Sequence, residues 1–424
     1  MKKIFLNLVK HPLFSGSFLM FAGSMFVNAV NYFYHLLMGR ILGPVDYGTL
    51  ASIFSILYIT SIIPISASVS IVKFVASAKD KVERISIYNS INKLTFNIAL
   101  ILALLMAVFS YPISVFLNIN NFYEVLLIAP ILFLTLVTLV NQATLQGILD
   151  FLGVVGPNLI ASIVKLGAGL LLVWLGFSVM GAIWGVLLGG IFAYFISYKL
   201  IHDKMLKHVS KSIGDDKYDL KDFYKYSLPV LIQSFALTSF FTTDVILVKH
   251  FFPSFETGLY AALSTLGKII FFASSPVTSA MFPIISGKHA RKEDYSKVLL
   301  FSLIATTLIS GGIVLFYFIF PSLSIGLLYG EKYLSAGPNL VWMGMFIGLY
   351  TIAYLLTNFY LSIGKTKIGY LVLFAAIIQI IAICIWHSSL LVVIQISFYI
   401  MLILCLVLLG CLRYNPSNEQ KLHK

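Results

Sequence analysis

Charged residues are scarce in this chain: Asp, Glu, Lys and Arg make up only 11% of its 424 residues. A soluble domain carries roughly 25%, so the composition excludes an ordinary soluble protein. The three cysteines, Cys384, Cys405 and Cys411, lack metal-ligand spacing, and so do the eight scattered histidines. No nucleotide-binding motif is present. We therefore expect no metal, no other cofactor and no ATP-driven transport by this chain alone.

Apolar runs of twenty or more residues fill the sequence instead, and 59% of the residues are hydrophobic. Such runs cross a bilayer core of about 30 Å as helices, and irregular backbone cannot face lipid. The pattern predicts an all-α polytopic membrane protein with twelve transmembrane helices. The predicted spans are 13–39, 47–73, 91–117, 122–147, 156–176, 179–200, 226–250, 257–284, 298–320, 334–361, 367–386 and 389–412.

The distribution of basic residues predicts the orientation. Of the 29 Lys and Arg residues, 24 lie in the two termini and in every second loop, including seven between Lys199 and Lys225. Loops rich in Lys and Arg stay on the cytoplasmic side, so we expect a multi-pass protein of the cytoplasmic membrane with both termini in the cytoplasm. The net charge of +13 then reflects topology and attraction to anionic membrane lipids. We expect no nucleic-acid partner, because the charge is spread over separate segments.

The sequence predicts that the chain consists of two copies of one bundle. A polar connector, 201–225, separates an N-terminal lobe, 1–200, from a C-terminal lobe, 226–424, with six predicted helices each. The segment GRILGPVDYG (39–48) has a counterpart in VKHFFPSFETG (248–258), and matching acids and glycines lie 210 positions apart. An even number of spans per half predicts lobes related by a pseudo-twofold axis along the membrane normal.

The two repeated segments are interpreted as hinges between the first two helices of each lobe. A Gly-Pro pair breaks the first helix, a later glycine permits a tight re-entry, and an acid suits the N-terminus of the next helix. The residues assigned to this hinge role are Arg40, Gly43, Pro44, Asp46, Gly48, Glu256 and Gly258.

Two lysines lie near the middle of predicted spans, Lys165 in the fifth and Lys268 in the eighth. A charge at this depth costs about 2.5–3.5 kcal/mol on insertion scales, so each needs a reason. One interpretation is a cation in each lobe that binds a diphosphate, since lysine is a compact point charge. The alternative is a packed lysine, or one paired across helices.

Asp244 is the only carboxylate well inside a predicted span. Three hypotheses remain open: binding of a coupling H⁺ or Na⁺, an ion pair with Lys268, or a structural role through a hydrogen bond or a salt bridge with Lys249. Gln233 shares a helical face with Asp244, and we assign it to substrate binding.

The first span carries a polar stripe on one helical face. Asn28, Asn31 and His35 belong to this stripe, which lines a wet cavity or bonds to a neighbouring helix. We favour the cavity and assign these three residues to substrate binding. Gly181, Gly185 and Gly189 form a ridge of small residues, typical of close helix packing.

Four stretches carry a family resemblance: GRILGPVDYGTLASIFSIL, DFYKYSLPVLIQSFALTSFFTTDVILVKHF, GLYAALSTLGKIIFFASSPVTSAMFPIIS and LGFSVMGAIWGVLLGGIFAYFI. They resemble the polysaccharide repeat-unit flippases of the multidrug/oligosaccharidyl-lipid/polysaccharide exporter superfamily. The resemblance implies two six-helix lobes around a central cavity and alternating access of a polyprenyl-diphosphate-linked glycan. We expect a monomeric transporter, not an enzyme, with glycan polymerases or transferases as partners.

Two other function classes are weighed against the flippase. A cation-coupled multidrug antiporter of the same superfamily needs carboxylates in its cavity, and the spans of the N-terminal lobe have none. A membrane glycan polymerase or ligase needs a large extracytoplasmic loop with acid–base residues, and the predicted outer loops are short. The flippase is the favoured hypothesis.

Overall fold

A computed structural model describes residues 12–207 and 231–413. This part of the chain is helical, without a strand among the described residues. The helices of the first half are α1 (Pro12–Thr60), α2 (Ile62–Ser77), α3 (Lys81–Phe116), α4 (Phe122–Leu126), α5 (Ile128–Gly147), α6 (Phe151–Leu172) and α7 (Ser178–Ile201). Those of the second half are α8 (Leu231–Ser239), α9 (Thr243–Phe251), α10 (Ser254–Ala290), α11 (Ser296–Ile319), α12 (Pro321–Leu328), α13 (Gly337–Ser362), α14 (Ile368–Ile385) and α15 (Leu390–Arg413).

Nine helices within the described residues are long and apolar enough to cross a membrane, or ten if the bent pair α8 and α9 forms one span. The chain is therefore an all-α, multi-pass membrane protein. The count of twelve spans stays a prediction. The helical run Phe151–Met205 contains two predicted spans, and the run Ala22–Thr60 contains parts of two, because the helical hydrogen bonding continues through a local break.

Glycines allow both of these breaks. Gly43 has a φ of 74° inside α1, and Gly176 has a φ of 95° in the π-helical segment Val173–Phe177. Residues with a Cβ rarely adopt such left-handed backbone. The break in α1 therefore lies inside the predicted hinge, where Pro44 begins the next helical stretch.

The chain divides into two compact units. The first contains Met1–Leu42 and Ile56–Leu231, and the second contains Gly43–Ser55 and Ile232–Lys424. The division near residue 231 follows shortly after the predicted connector, most of which lies outside the described residues. The prediction of two contiguous lobes did not assign the segment Gly43–Ser55 to the second unit.

The role expected for Gly48 and Gly258, a tight re-entry turn, was wrong. Both glycines lie inside helical segments of the second unit and pack against each other. A Cβ added to Gly48 would lie 2.8 Å from the backbone nitrogen of Gly258, and one added to Gly258 would lie 1.8 Å from the carbonyl oxygen of Pro44. These glycines permit the backbone of α10 to touch the start of the second stretch of α1.

The other hinge residues occupy surrounding positions. Asp46 lies three residues after the break at Gly43, and Glu256 lies in the first turn of α10. Both acids are thus near helix N-termini, where the helix dipole favours negative charge. Arg40 is exposed on α1, three residues before the break.

Helices α6 and α7 pack closely against each other inside the first unit. A Cβ on Gly185 would lie 2.7 Å from the Cα of Gly169, and one on Gly189 would lie 2.6 Å from the carbonyl oxygen of Ala161. The packing predicted for the small-residue ridge is confirmed at these two positions. The ridge brings α7 directly against the turn of α6 that carries Lys165.

Candidate functional site

The first unit contains a partly open cavity of about 360 Å³ between helices α1, α5, α6 and α7. Its polar lining includes Asn31 from α1, Gln142 from α5, and Asn158 and Lys165 from α6. The described lining residues contain one cation and no carboxylate. A cavity of this chemistry suits an anionic or neutral polar ligand better than a cation.

Lys165 is held at the cavity wall by two contacts. Its ammonium group donates a hydrogen bond to Oδ1 of Asn31 and lies 4.5 Å from the centroid of the Tyr34 ring. The Tyr34 hydroxyl donates a hydrogen bond of 2.8 Å to the carbonyl oxygen of Ala182 on α7, which fixes the ring. An amide oxygen and an aromatic face both stabilise a cation away from bulk water. Both of these partners are uncharged.

Gln142 and Asn158 form a reciprocal pair across α5 and α6. Gln142 Nε2 donates to Asn158 Oδ1 at 3.0 Å, and Asn158 Nδ2 donates to Gln142 Oε1 at 3.4 Å. Asn158 Nδ2 also donates to the carbonyl oxygen of Val154 at 3.0 Å. The pair joins two walls of the cavity through uncharged groups.

Three hydroxyls line the same cavity, with different partners. Thr135 donates to the carbonyl oxygen of Ile131 and Ser162 to that of Leu159, each at 2.8 Å. Thr138 is 7% exposed, and its hydroxyl has no hydrogen-bond partner among the described residues. A buried polar group without a partner costs about 1–3 kcal/mol, so Thr138 is the hydroxyl most in need of a ligand or a water molecule.

The polar stripe of the first span is divided by the structure. Asn31 lines the cavity, whereas Asn28 is exposed and is not among the lining residues. His35 contacts the edge of the Tyr34 ring, and its Nε2 lies 3.3 Å from the Tyr58 hydroxyl. The periodicity predicted a shared face, but the cavity touches only part of it. Substrate binding by Asn28 and His35 stays a prediction.

The second unit contains a different polar cluster, centred on Asp244. This buried carboxylate accepts hydrogen bonds from the Tyr260 hydroxyl at 2.7 Å and from the backbone N–H of Val245 at 2.8 Å. Lys268 interacts electrostatically with the same carboxylate. Lys249, in the same helix as Asp244, is buried and donates to Ser254 Oγ at 2.9 Å. We refer to Asp244 and Lys268, whose charges interact within one unit, as the charge pair.

The ammonium group of Lys268 lies beside a cluster of aromatic rings. Its Nζ lies 5.2 Å from the centroid of the Phe241 ring. Phe241 contacts Tyr350 edge to face at 5.3 Å, and Phe271 contacts Tyr354 in the same manner at 5.0 Å. Phe241 lies in the break between α8 and α9, so the charge pair adjoins a bent helix.

The two membrane lysines are therefore not equivalent, although the sequence suggested one role for both. Lys165 contacts Asn31 and Tyr34 at a cavity wall, whereas Lys268 interacts electrostatically with a carboxylate and lies beside the Phe241 ring. Gln233 is 7% exposed and packs against Gly369 of α14, and its assignment to substrate binding stays a prediction.

Sequence reasoning missed Thr138, Gln142, Asn158 and Tyr260 as site residues. Asn158 and Lys165 are seven residues apart in one helix, a spacing that places both on one face. This spacing was a usable signal. The pairing of Gln142 with Asn158, and of Tyr260 with Asp244, depends on tertiary packing and had no signal in the sequence.

Residues 37–338 match the sequence profile of a family described as polysaccharide biosynthesis proteins. This match covers well over half of the chain. The chain belongs to this polysaccharide biosynthesis family. The resemblance noted from the four sequence stretches is thereby confirmed at the level of the family.

Comparison with solved structures defines the fold. The chain superimposes on lipid II flippase MurJ in an inward closed conformation with a TM-score of 0.74 and 15% identity, covering 93% of this chain and 87% of MurJ. It superimposes on an inward-facing MATE family multidrug resistance transporter of the MOP superfamily with a TM-score of 0.69 and 14% identity, covering 92% and 95%. The fold is therefore MurJ-like and MATE-like.

A curated relative gives a weaker match. An uncharacterised membrane protein of Methanocaldococcus jannaschii is 26% identical over 210 residues, which cover 46% of this chain and 47% of that protein. The match thus spans about half the length of that relative.

Proposed function

We propose that this polysaccharide biosynthesis protein is a flippase. It translocates a polyprenyl-diphosphate-linked oligosaccharide across the cytoplasmic membrane by alternating access, for the synthesis of cell-surface polysaccharide. Family membership supports the pathway, and the MurJ-like fold supports the type of transport. The observation that carries the proposal is the cavity of the first unit, which presents Lys165 and no carboxylate among its described lining residues.

Lys165 binds the diphosphate in this proposal. The ammonium group supplies a point charge that follows a moving phosphate, and low local dielectric strengthens its attraction for an anion. Asn31 positions the ammonium group through its hydrogen bond. The neutral amides beside Lys165 can bond to sugar hydroxyls.

The charge pair of the second unit has a separate role. We infer that Asp244 and Lys268 respond to a coupling cation, because a cation at Asp244 competes with Lys268 for the same carboxylate. Asp244 lies in the first turn of α9, next to the 42° bend between α8 and α9. A change of charge there acts directly on a bent membrane helix.

A cation-coupled drug antiporter is the second candidate. The buried carboxylate of Asp244 favours it, since proton or sodium coupling needs such a group. The cavity of the first unit opposes it, because a cationic drug would meet Lys165 there.

The test is a flipping assay with the purified chain in lipid vesicles and a fluorescent polyprenyl-diphosphate disaccharide as the probe. Lys165→Gln should slow flipping at least about tenfold, because it removes the proposed charge on the diphosphate, whereas Lys165→Arg should retain part of the activity. Lys332→Gln, at an exposed position, serves as the control for loss of a lysine. Unchanged flipping by Lys165→Gln would refute the phosphate site, and uptake of organic cations instead of the probe would support the antiporter.

Topology and assembly belong to the same proposal. We expect both termini to face the cytoplasm, as the distribution of basic residues predicts, and a monomer that works alongside glycan polymerases or transferases. A single cysteine is placed at each terminus and labelled from one side of sealed vesicles. The labelling shows which side of the membrane each terminus faces.

A further inference from the structure

The cavity wall beside Lys165 retains hydrogen-bonding capacity that the described contacts do not use. Both N–H groups of Asn158 are occupied, by Gln142 Oε1 and by the carbonyl oxygen of Val154. Gln142 uses one N–H and accepts one bond, which leaves it one donor and one lone pair. One turn earlier on α5, the buried hydroxyl of Thr138 has no partner among the described residues.

This free capacity is uncharged and lies within an apolar surrounding. The cavity is also lined by Ile131, Leu134, Leu139 and Val186. A matching ligand group therefore presents one acceptor, one donor and an apolar end. A carboxylate or phosphate lacks the donor, and a bare hydroxyl lacks the apolar end.

We infer that Thr138 and Gln142 recognise an acetamido group on a sugar of the transported glycan. The acetamido carbonyl accepts from Thr138 or from the free N–H of Gln142, its N–H donates to Gln142 Oε1, and its methyl group contacts the apolar lining. Such a bond gives the Thr138 hydroxyl the partner that it lacks among the described residues.

The position of this wall relative to Lys165 fits one extended ligand. Asn158, which holds Gln142 in place, lies seven residues before Lys165, about 10 Å along α6 at 1.5 Å per residue. A single saccharide ligand whose anionic group binds Lys165 can thus place a neutral group at the Gln142–Asn158 pair. The inference rests on the proposed function, because it assigns the sugar of a substrate whose anion binds Lys165.

Equilibrium binding to the full-length protein in detergent tests the assignment. Three probes are compared: a polyprenyl diphosphate without sugar, the same lipid with glucose, and the same lipid with N-acetylglucosamine. The wild-type protein should bind the N-acetylglucosamine probe about tenfold more tightly than the glucose probe, as expected for one or two hydrogen bonds that would otherwise be unmade. Thr138→Val and Gln142→Leu should each reduce this preference to about twofold or less.

Matched variants separate recognition from packing. Thr135→Val removes a hydroxyl that lines the same cavity but already bonds to its own helix, so the sugar preference should persist. Thr138→Ser restores the hydroxyl and should restore the preference. Equal wild-type affinity for the two sugar probes would overturn the inference, as would a loss of preference in Thr135→Val as large as that in Thr138→Val.

The sugar-free probe distinguishes two kinds of failure. Binding of this probe that depends on Lys165, without any sugar preference, would leave the flippase proposal intact and refute the acetamido site. A sugar preference without Lys165-dependent binding of the sugar-free lipid would refute the diphosphate site and leave the acetamido site standing.

Discussion

The Tyr260 hydroxyl donates a 2.7 Å hydrogen bond to Oδ2 of Asp244, and both side chains are buried within the second unit. Asp244 belongs to α9, directly after the bend from α8, whereas Tyr260 belongs to α10. The same carboxylate interacts with Lys268, eight residues further along α10. One carboxylate thus links the bent helix to two positions on its neighbour.

Removing the Tyr260 hydroxyl should destabilise the protein more than removing an ordinary buried tyrosine hydroxyl. Tyr260→Phe loses a bond to a charged acceptor, worth about 1.5–3 kcal/mol, whereas a neutral bond is worth about 0.5–1.5 kcal/mol. Tyr317→Phe is the matched control, because the Tyr317 hydroxyl donates to the carbonyl oxygen of Leu266. Thermal unfolding in detergent measures both. Equal losses of stability would indicate that Asp244 carries no charge in the folded protein.

Asp244→Asn should abolish the dependence of transport on pH or sodium. The amide keeps the size of the side chain. Because it is uncharged, it cannot bind a proton or a cation as the carboxylate does. Vesicle flipping, measured across a pH series and with sodium replaced by potassium, reports the change. A variant that retains the wild-type ion dependence would assign Asp244 to packing alone.

Asp244 and Lys268 should be energetically coupled. Asp244→Asn leaves the lysine charge without its carboxylate, and Lys268→Met leaves the carboxylate without its ammonium. Asp244 is buried and Lys268 is half-buried, so each single variant should lose less than the roughly 3–5 kcal/mol that breaking a fully buried pair costs. Asp244→Asn/Lys268→Met should lose less stability than the two single variants together. Additive losses in the double-mutant cycle would show that the two charges act independently.

Gly258→Ala should strongly destabilise the second unit, because its Cβ would lie 1.8 Å from the carbonyl oxygen of Pro44. The backbones of α10 and the start of the second stretch of α1 would have to separate. Gly311→Ala is the control: it lies inside α11, with nothing within 4 Å of the added Cβ, and should be neutral or stabilising by up to about 1 kcal/mol. Thermal unfolding in detergent compares the two, and a tolerated Gly258→Ala would contradict the close contact.

Gly48 and Gly258 illustrate the limits of sequence patterns. Their repetition at an offset of 210 residues correctly singled out the two segments, but a glycine next to a Gly-Pro pair predicts a turn as readily as a close helix contact. The two roles differ in where the rest of the chain lies. That information is absent from a local pattern.

The first unit shows the same limit. Lys165 was identifiable from the sequence, because a charge inside an apolar run is costly and needs a reason. Its difference from Lys268 was not identifiable, since one lysine lies beside Asn31 and Tyr34 and the other beside a carboxylate. Asn31 and Asp244 were identifiable as polar residues inside apolar spans, and an Asp244–Lys268 pair was one of the open hypotheses. Which lysine meets which partner, however, depends on how the helices pack.

The sequence by itself determined that the chain is an all-α membrane protein, where most of its helices run, and to which superfamily it is similar. These features follow from the length and hydrophobicity of local runs, because lipid forces the backbone to satisfy its own hydrogen bonds within each span. Tertiary structure alone decided which polar side chains meet. Helix packing depends on the shapes of whole helix faces, which a local sequence pattern does not show. For this reason only the tertiary structure assigned Gly43–Ser55 to the second unit, paired Gln142 with Asn158, and gave the two membrane lysines different partners.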